Sequence, residues 1–327
     1  MQLPIEKPMI DYTPRYNNVT SIITKTDPKG FADLIENYIN IEFEYEPHNR
    51  DLWQEFEGIN DWSRFKSIET TQISIEFFRK NFKLDEMFLE SLIQERYYIY
   101  LNAIPFYNSA YTADFAKDFP HEILIYGYDK YNHLFFCQDF FNKMACQRKV
   151  CKADELINSI NQFWQLEKGY AKYLDEIVLI KKKEIKQQEE IRLDLIYHRL
   201  KSLLINRKVG TQRPYIGYAW FELLICSILD FDSLNKWWLN RMSLTFLREH
   251  VKLMLLRMEH LGFPKVNENI YLINKTELCL RLLHKNMIRF MNGEEINNRC
   301  NDKIADALTV VQEDYYNAIS AFCKFLE

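Results

Sequence analysis

The period of the hydrophobic positions changes along the chain. Residues 31–40 (FADLIENYIN) and 84–94 (LDEMFLESLIQ) place apolar residues three and four apart, which predicts amphipathic helices. Between 96 and 182 the apolar runs are short (YYIYLNAI, EILIYGY, HLFFCQDFF, YLDEIVLI) and are separated by turn-forming residues such as Pro105. Runs of this kind are typical of strands. We therefore expect a mixed α+β domain with an antiparallel sheet in this part of the chain.

From about residue 184 the pattern becomes helical. Five segments repeat apolar residues at three and four, and Gly262, Pro264 and Gly293 fall between them, where helices end. The segments are KEIKQQEEIRLDLIYHRLKSLLINRK, YIGYAWFELLICSILD, FLREHVKLMLLRMEHL, ELCLRLLHKNMIRFM and KIADALTVVQEDYYNAISAFCKFL. The prediction is an α+β domain over 1–183 followed by an all-helical domain over 184–327.

Composition narrows the functional classes. With 327 residues, 47% of them hydrophobic, the chain can bury two cores. A net charge of −4 disfavours nucleic acid as a partner. The start, MQLPIEKPMIDYTPRY, lacks a signal-peptide pattern, and no apolar run reaches the roughly 20 residues that cross a bilayer. We expect a cytoplasmic protein without a membrane partner.

Cysteine and glycine usage argues against several cofactors. The seven cysteines form no Cys-x-x-Cys pair, which disfavours a disulfide framework or a zinc ribbon and predicts mostly buried thiols. Eight glycines include neither a dinucleotide fingerprint nor a Walker motif. In the helical half, Glu249, His250 and His260 lack the spacing of a metal site, and a packed or capping role is expected for such a histidine. No metal and no cofactor are predicted.

The segment DFPHEILIYGYDKYNHLFFCQDFF, residues 118–141, carries the candidate chemistry. Two apolar runs flank a polar loop at 129–132, and a hairpin there pairs residues whose numbers add to about 260 or 261. That register sets His121 beside Asp139, where a carboxylate can orient an imidazole as the base of a nucleophile-base-acid triad. The alternative is structural, since His and Asp are also common at strand ends as turn and capping residues.

PHEILIYGYD followed by FFCQDFF resembles the histidine and aspartate strands of papain-like domains related to bacteriocin leader peptidases. The resemblance is closest to the butirosin biosynthesis protein H-like family, and RYYIYLNAIPFYNSAY, YIGYAWFELL and LREHVKLMLLRM also look like its blocks. It implies a papain-like fold for the first domain. It further implies transfer of an acyl group from a carrier-protein thioester to an amine, through a Cys nucleophile near the amino terminus.

The sequence departs from that family at the nucleophile. The segment PRYNNVTSIITKTDPKGFADLIENYI contains no cysteine, and Asn18, or as a second choice Ser21, is predicted at the nucleophile position before the first helix. An Asn cannot form an acyl-enzyme. Cys137 is predicted on the face of Asp139, diagonal to His121 at roughly 7–8 Å. That separation is too long for a hydrogen bond, and a buried thiol is the favoured role.

Three hypotheses follow. The first is a papain-like protein of natural-product biosynthesis that has lost its thiol and acts as a noncatalytic partner or a binder of carrier-bound intermediates. The second is an active acyltransferase or amide-forming enzyme in which His121 and Asp139 serve as base and orienter. The third is a helical protein-interaction module. The expected partner of the first two is the phosphopantetheine arm of an acyl or peptidyl carrier protein, and a homodimer stays open.

Overall fold

The computed structural model describes the chain except for residues 25–26, 47, 49–50, 59–60, 113–118, 143–145, 167–174, 185–189, 206, 209–214, 231–232 and 295–297. The strands are β1 (Ile41–Glu46), β2 (Asp51–Phe56), β3 (Ile68–Ser74), β4 (Tyr98–Ala103), β5 (His121–Asp129), β6 (Leu134–Asp139), β7 (Gln147–Lys152), β8 (Glu176–Lys182), β9 (Arg207–Lys208) and β10 (Tyr215–Ile216). The helices are α1 (Pro14–Ile22), α2 (Pro28–Glu36), α3 (Ile75–Asn81), α4 (Glu86–Gln94), α5 (Ala153–Phe163), α6 (Leu193–Leu204), α7 (Trp220–Leu229), α8 (Leu234–His260), α9 (Val266–Asn269), α10 (Tyr271–Met291) and α11 (Asn298–Leu326).

The chain divides into two compact units. The first comprises Met1–Asp33 and Trp62–Gln188, and the second comprises Leu34–Asp61 and Glu189–Glu327. The predicted boundary near 184 took no account of Leu34–Asp61, which packs with the carboxy-terminal residues. None of the helices in the described ranges combines the length and the apolar character that crossing a membrane requires.

The first unit is built on a six-stranded antiparallel sheet with strand order β3-β8-β4-β5-β6-β7. The prediction of a mixed α+β domain with an antiparallel sheet is thereby confirmed. One face of the sheet packs against α3, α4 and α5 in a core that includes Ile99, Ile123, Cys137 and Leu156. Successive strand residues point to opposite faces of the sheet. Helix α1 contacts β5 and β6 on the other face.

The β5–β6 hairpin differs in register from the prediction. Asp129 pairs with Leu134, so the loop covers residues 130–133 and the paired numbers add to 263 near the turn. A bulge between Ile125 and Gly127 then changes that total to 262, with Ile125 opposite Cys137. The loop starts one residue later than expected because Asp129 stays in the strand and its carboxylate accepts the backbone N–H of Tyr131 at 3.1 Å.

Gly127 lies in this bulge for a steric reason. The amino-terminal segment pairs with β5 beyond the end of β4, through Leu3 N–H to Tyr126 O (2.7 Å) and Tyr128 N–H to Met1 O (2.8 Å). A Cβ atom at Gly127 would approach Met1 O to 2.8 Å, which is closer than real Cβ contacts. The pairing of the amino-terminal segment with β5 therefore depends on a residue without a side chain.

The second unit corrects the prediction of an all-helical domain. It contains a four-stranded antiparallel sheet, β2-β1-β10-β9, in addition to helices α6 to α11. Two of its strands come from residues 34–61, where the sequence IEFEYE of β1 alternates apolar and acidic residues at the strand period of two. Gly262 and Gly293 follow α8 and α10 with φ of +73° and +75°, as helix-terminating glycines do.

Buried polar side chains anchor the helices of this unit. Arg257 on α8 is fully buried, and its guanidinium donates to four backbone carbonyls at residues 34, 35, 37 and 38, at the end of α2. His250 lies two turns before Arg257 on α8. It is also buried and forms hydrogen bonds with Ile39 O and Tyr315 Oη, each at 2.7 Å. The expectation that His250 is a packed residue is thus confirmed.

Candidate functional site

His121 and Asp139 stand at adjacent ends of β5 and β6. In the observed register Asp139 is opposite the position of Ile123, so the two residues are diagonal neighbours rather than direct partners. The bulge changes the total of the paired residue numbers from 263 to 262. Because 262 is even, the two odd-numbered residues His121 and Asp139 lie on the same face of the sheet. Their side chains meet, with His121 Nδ1 at 2.7 Å from Asp139 Oδ2.

This contact orients the imidazole. An ionised carboxylate only accepts hydrogen bonds, so the neutral ring of His121 carries its proton on Nδ1 and keeps the lone pair on Nε2. Asp139 is fully buried, whereas the His121 side chain is 15% exposed. The pair therefore has the arrangement of a general base held by an orienting carboxylate.

Tyr111 completes the group and was not predicted. Its hydroxyl donates to Asp139 Oδ2, the same oxygen that His121 contacts. The backbone N–H of Phe140 donates to the other oxygen, Oδ1, at 2.6 Å. Burial, followed by the nearby charge of Asp139, raises the pKa of Tyr111 well above its ordinary value, so the hydroxyl remains a donor.

The aromatic surroundings shield one side of the ring. Phe119, 44% exposed, places its ring centroid 6.0 Å from that of His121, and Tyr111 meets the imidazole edge-on at 6.4 Å. Phe141 packs on Tyr111 at 4.6 Å. An apolar wall therefore lies beside the polar edge of His121.

The predicted nucleophile residues lie elsewhere. Asn18 and Ser21 are inside α1, not before the first helix, and both are fully buried. Gln138 Nε2 donates to Asn18 Oδ1 at 3.2 Å and to Ser21 Oγ at 2.7 Å. Since Gln138 and Asp139 are consecutive strand residues, their side chains leave opposite faces of the sheet. The structure therefore brings His121 and Asp139 together and puts Asn18 and Ser21 on the other face.

Ser21 is also a poor nucleophile in this setting. Its own hydroxyl proton is donated to Asn17 O at 2.7 Å. It is the eighth residue of α1, away from the amino-terminal turn where a helix favours a developing negative charge. Both lone-pair access and electrostatic activation are thus absent at this hydroxyl.

Cys137 is farther from His121 than predicted. It pairs with Ile125, four residues along β5 from His121, which corresponds to roughly 13 Å rather than a diagonal contact. The thiol is fully buried in the sheet core, and burial raises its pKa well above the ordinary value. The expectation of a buried free thiol is confirmed, and the expected 7–8 Å separation is wrong because the turn lies later than predicted and pairs Cys137 with Ile125 instead of residue 123 or 124.

Other site classes find no support in the described ranges. No group of three or more His, Cys, Asp or Glu side chains there is arranged to hold a metal ion. The seven cysteines are free thiols, four of them buried. The sequence matches no protein-family profile and no curated protein at a significant level.

Proposed function

We propose that the first unit is a papain-like domain, of the type found in the butirosin biosynthesis protein H-like family, that binds carrier-bound acyl intermediates without forming an acyl-enzyme. The observation that carries the proposal is that the predicted base and the predicted nucleophile residues lie on opposite faces of the sheet. His121 and Asp139 form an oriented pair, while Asn18 and Ser21 are buried on the opposite face and bonded to Gln138.

The chemistry of thioester exchange explains why covalent catalysis is not proposed. An acyl-enzyme requires a thiolate or an activated hydroxyl within about 3 Å of a base. An amide side chain such as that of Asn18 has no nucleophilic oxygen or sulfur to offer. The hydroxyl of Ser21 gives its proton to a helix carbonyl, and the Cys137 thiol lies in the core.

The same group supports binding. The 15% exposed ring of His121 can meet the polar thioester, and the exposed ring of Phe119 beside it offers an apolar surface to the acyl chain. We expect the ligand to be the acylated phosphopantetheine arm of an acyl or peptidyl carrier protein. This would make the protein a noncatalytic partner in natural-product biosynthesis.

The test uses the full chain and acylated carrier proteins encoded nearby. We expect binding that needs the acylated arm, no gain in protein mass, and about tenfold weaker binding in His121→Ala. His133→Ala is the matched control, because His133 lies on the same hairpin with a side chain 70% exposed and bonded to Glu86. It should bind as the wild type does.

Two results would contradict the proposal. An acyl adduct mapped to Ser21 or Cys137 would show a working covalent enzyme. Equal binding of acylated and unmodified carriers, or binding unaffected by His121→Ala, would remove the acyl-binding role and favour the helical interaction module.

The ordered pair also favours a second function, direct acyl transfer. In that reaction an amine attacks the thioester carbonyl, its proton passes to His121 Nε2, and the C–S bond breaks. The departing pantetheine thiolate then takes that proton. The 2.7 Å contact with Asp139 would stabilise the imidazolium formed on the way. Amide product that falls by about 10²- to 10⁴-fold in His121→Ala would support it, and equal product without protein would refute it.

A further inference from the structure

The loop after β4 is held in place at several points. Ile104 N–H donates to Ser159 O at 3.0 Å, and Ser159 Oγ donates back to Ile104 O at 2.6 Å, so the loop starts on helix α5. Asn108 then accepts the backbone N–H of Ala110 at 3.0 Å through its side chain, which closes a tight turn. The first half of the loop is thus fixed by hydrogen bonds to its backbone.

The second half is fixed by two charged side chains. Glu155 Oε2 accepts the N–H of Ser109 at 2.9 Å and its hydroxyl at 2.5 Å. Bonds from Lys152 and then Ser109 hold the pKa of Glu155 down at about 2, so the anchor stays ionised. Lys149 Nζ donates to Ala110 O at 2.6 Å. The residue that follows this clamped turn is Tyr111.

Tyr111 reaches Asp139 from this position. Its side chain is 8% exposed and its hydroxyl points at Asp139 Oδ2. The carboxylate of Asp139 can otherwise rotate about its Cβ–Cγ bond. With Phe140 N–H on Oδ1 and Tyr111 on Oδ2, the plane of the carboxylate is set, and a lone pair of Oδ2 remains for His121.

We infer that Tyr111 is a positioning residue that fixes Asp139 and, through it, the Nδ1-protonated tautomer of His121. The inference rests on the proposed function in one respect: the ligand or the amine would meet the oriented ring of His121. Tyr111 touches neither and acts through Asp139. Residues 104–111 then support the site, and the apolar surface proposed for the acyl chain is that of Phe119.

The test is nitrogen NMR on protein with 15N-labelled histidine rings. In the wild type, His121 should appear as one tautomer, protonated at Nδ1, with slow exchange of that proton. In Tyr111→Phe we expect a mixture of tautomers and about tenfold faster exchange, because a hydrogen bond to a charged group is lost. Asp139→Asn should invert or mix the tautomers more strongly.

Tyr107→Phe is the matched control. Tyr107 lies in the same loop and loses the same hydroxyl, and none of the described contacts of Asp139 involves it. It should leave the His121 signals unchanged. A Tyr111→Phe protein with wild-type tautomer and exchange, beside an altered Asp139→Asn protein, would overturn the inference.

A second substitution covers the case in which Tyr111→Phe does not fold. Site-specific 3-fluorotyrosine at Tyr111 keeps the shape and the hydroxyl but makes the phenol a stronger donor to Asp139. The His121 ring signals should shift in that protein, and an unchanged spectrum would count against the inference. Because these signals need no carrier protein, they separate failure of this inference from failure of the acyl-binding proposal.

Discussion

Acid should destabilise this protein through one buried histidine. His250 is fully buried, and burial holds its pKa down at about 4, against an ordinary value of 6.5. The neutral ring donates from Nε2 to Ile39 O and accepts from Tyr315 at Nδ1. A second proton would have to enter a site that already contains the Arg257 guanidinium, which also lowers the pKa.

The sign follows from the two pKa values. As pH falls, the unfolded chain binds the proton of this histidine first, near pH 6.5, and the folded chain binds it only near pH 4. Stability is therefore fully present above about pH 6.5, is lost as pH falls toward 4, and does not fall further below it. At about 1.4 kcal/mol per pKa unit the loss is about 3 kcal/mol.

Urea denaturation of the wild type and of His250→Gln at about pH 7 and about pH 4.5 measures this effect. Gln cannot be protonated, so the variant should be less stable near neutrality but should lose about 2 kcal/mol less between these two pH values. His260→Gln, an exposed residue at the end of the same helix, is the control and should follow the wild type. Parallel pH dependences for wild type and His250→Gln would refute the reasoning.

Three further substitutions have expected outcomes in the same denaturation assay. Gly127→Val should lower the free energy of unfolding by about 2 kcal/mol, because its Cβ meets Met1 O and two backbone hydrogen bonds of the amino-terminal segment are lost. Unchanged stability would contradict the close approach of Met1 to Gly127. Asp33→Asn should cost about 2–4 kcal/mol, because Asp33 is 1% exposed and accepts from Lys66 N–H and twice from Ser67; an effect below about 0.5 would be inconsistent with those bonds. Ser21→Ala should cost about 1–2 kcal/mol while leaving the protein mass after exposure to acylated carriers unchanged; a lost adduct would instead identify Ser21 as a nucleophile.

The sequence predicts elements better than it predicts pairing. Alternating or continuous apolar runs locate β4, β5, β6 and β8, and the three-and-four pattern locates α2, α4 and the long carboxy-terminal helices. The strand IEFEYE carries an equally clear alternation, and it was missed because the stretch after it, 47–69, has no period. That omission explains why Leu34–Asp61 was assigned to the wrong part of the chain.

Side-chain partners are harder to predict, since they depend on contacts between distant residues. Tyr111 is 28 residues from Asp139 and sits among many aromatic residues of one loop, so no spacing distinguishes it. Gln138 gave no signal either, although its position next to Asp139 implies the opposite face of the sheet. A helix that is bonded to Gln138 must therefore lie on the face opposite Asp139. Helix α1 is such a helix, which is why Asn18 and Ser21 are away from His121.

The bulge in β5 shows why the site depends on a detail that hydrophobic patterns do not report. Without it, the pairing fixed at the turn would continue and set Asp139 opposite Leu124, with His121 on the other face of the sheet. One extra residue at Tyr126 changes the parity, so His121 and Asp139 share a face and meet at 2.7 Å. The same shift sets Cys137 opposite Ile125 instead of Tyr126, which still leaves it four residues along β5 from His121. A single backbone irregularity thus creates the His121–Asp139 pair, whereas the position of the turn keeps the Cys137 thiol out of reach of His121.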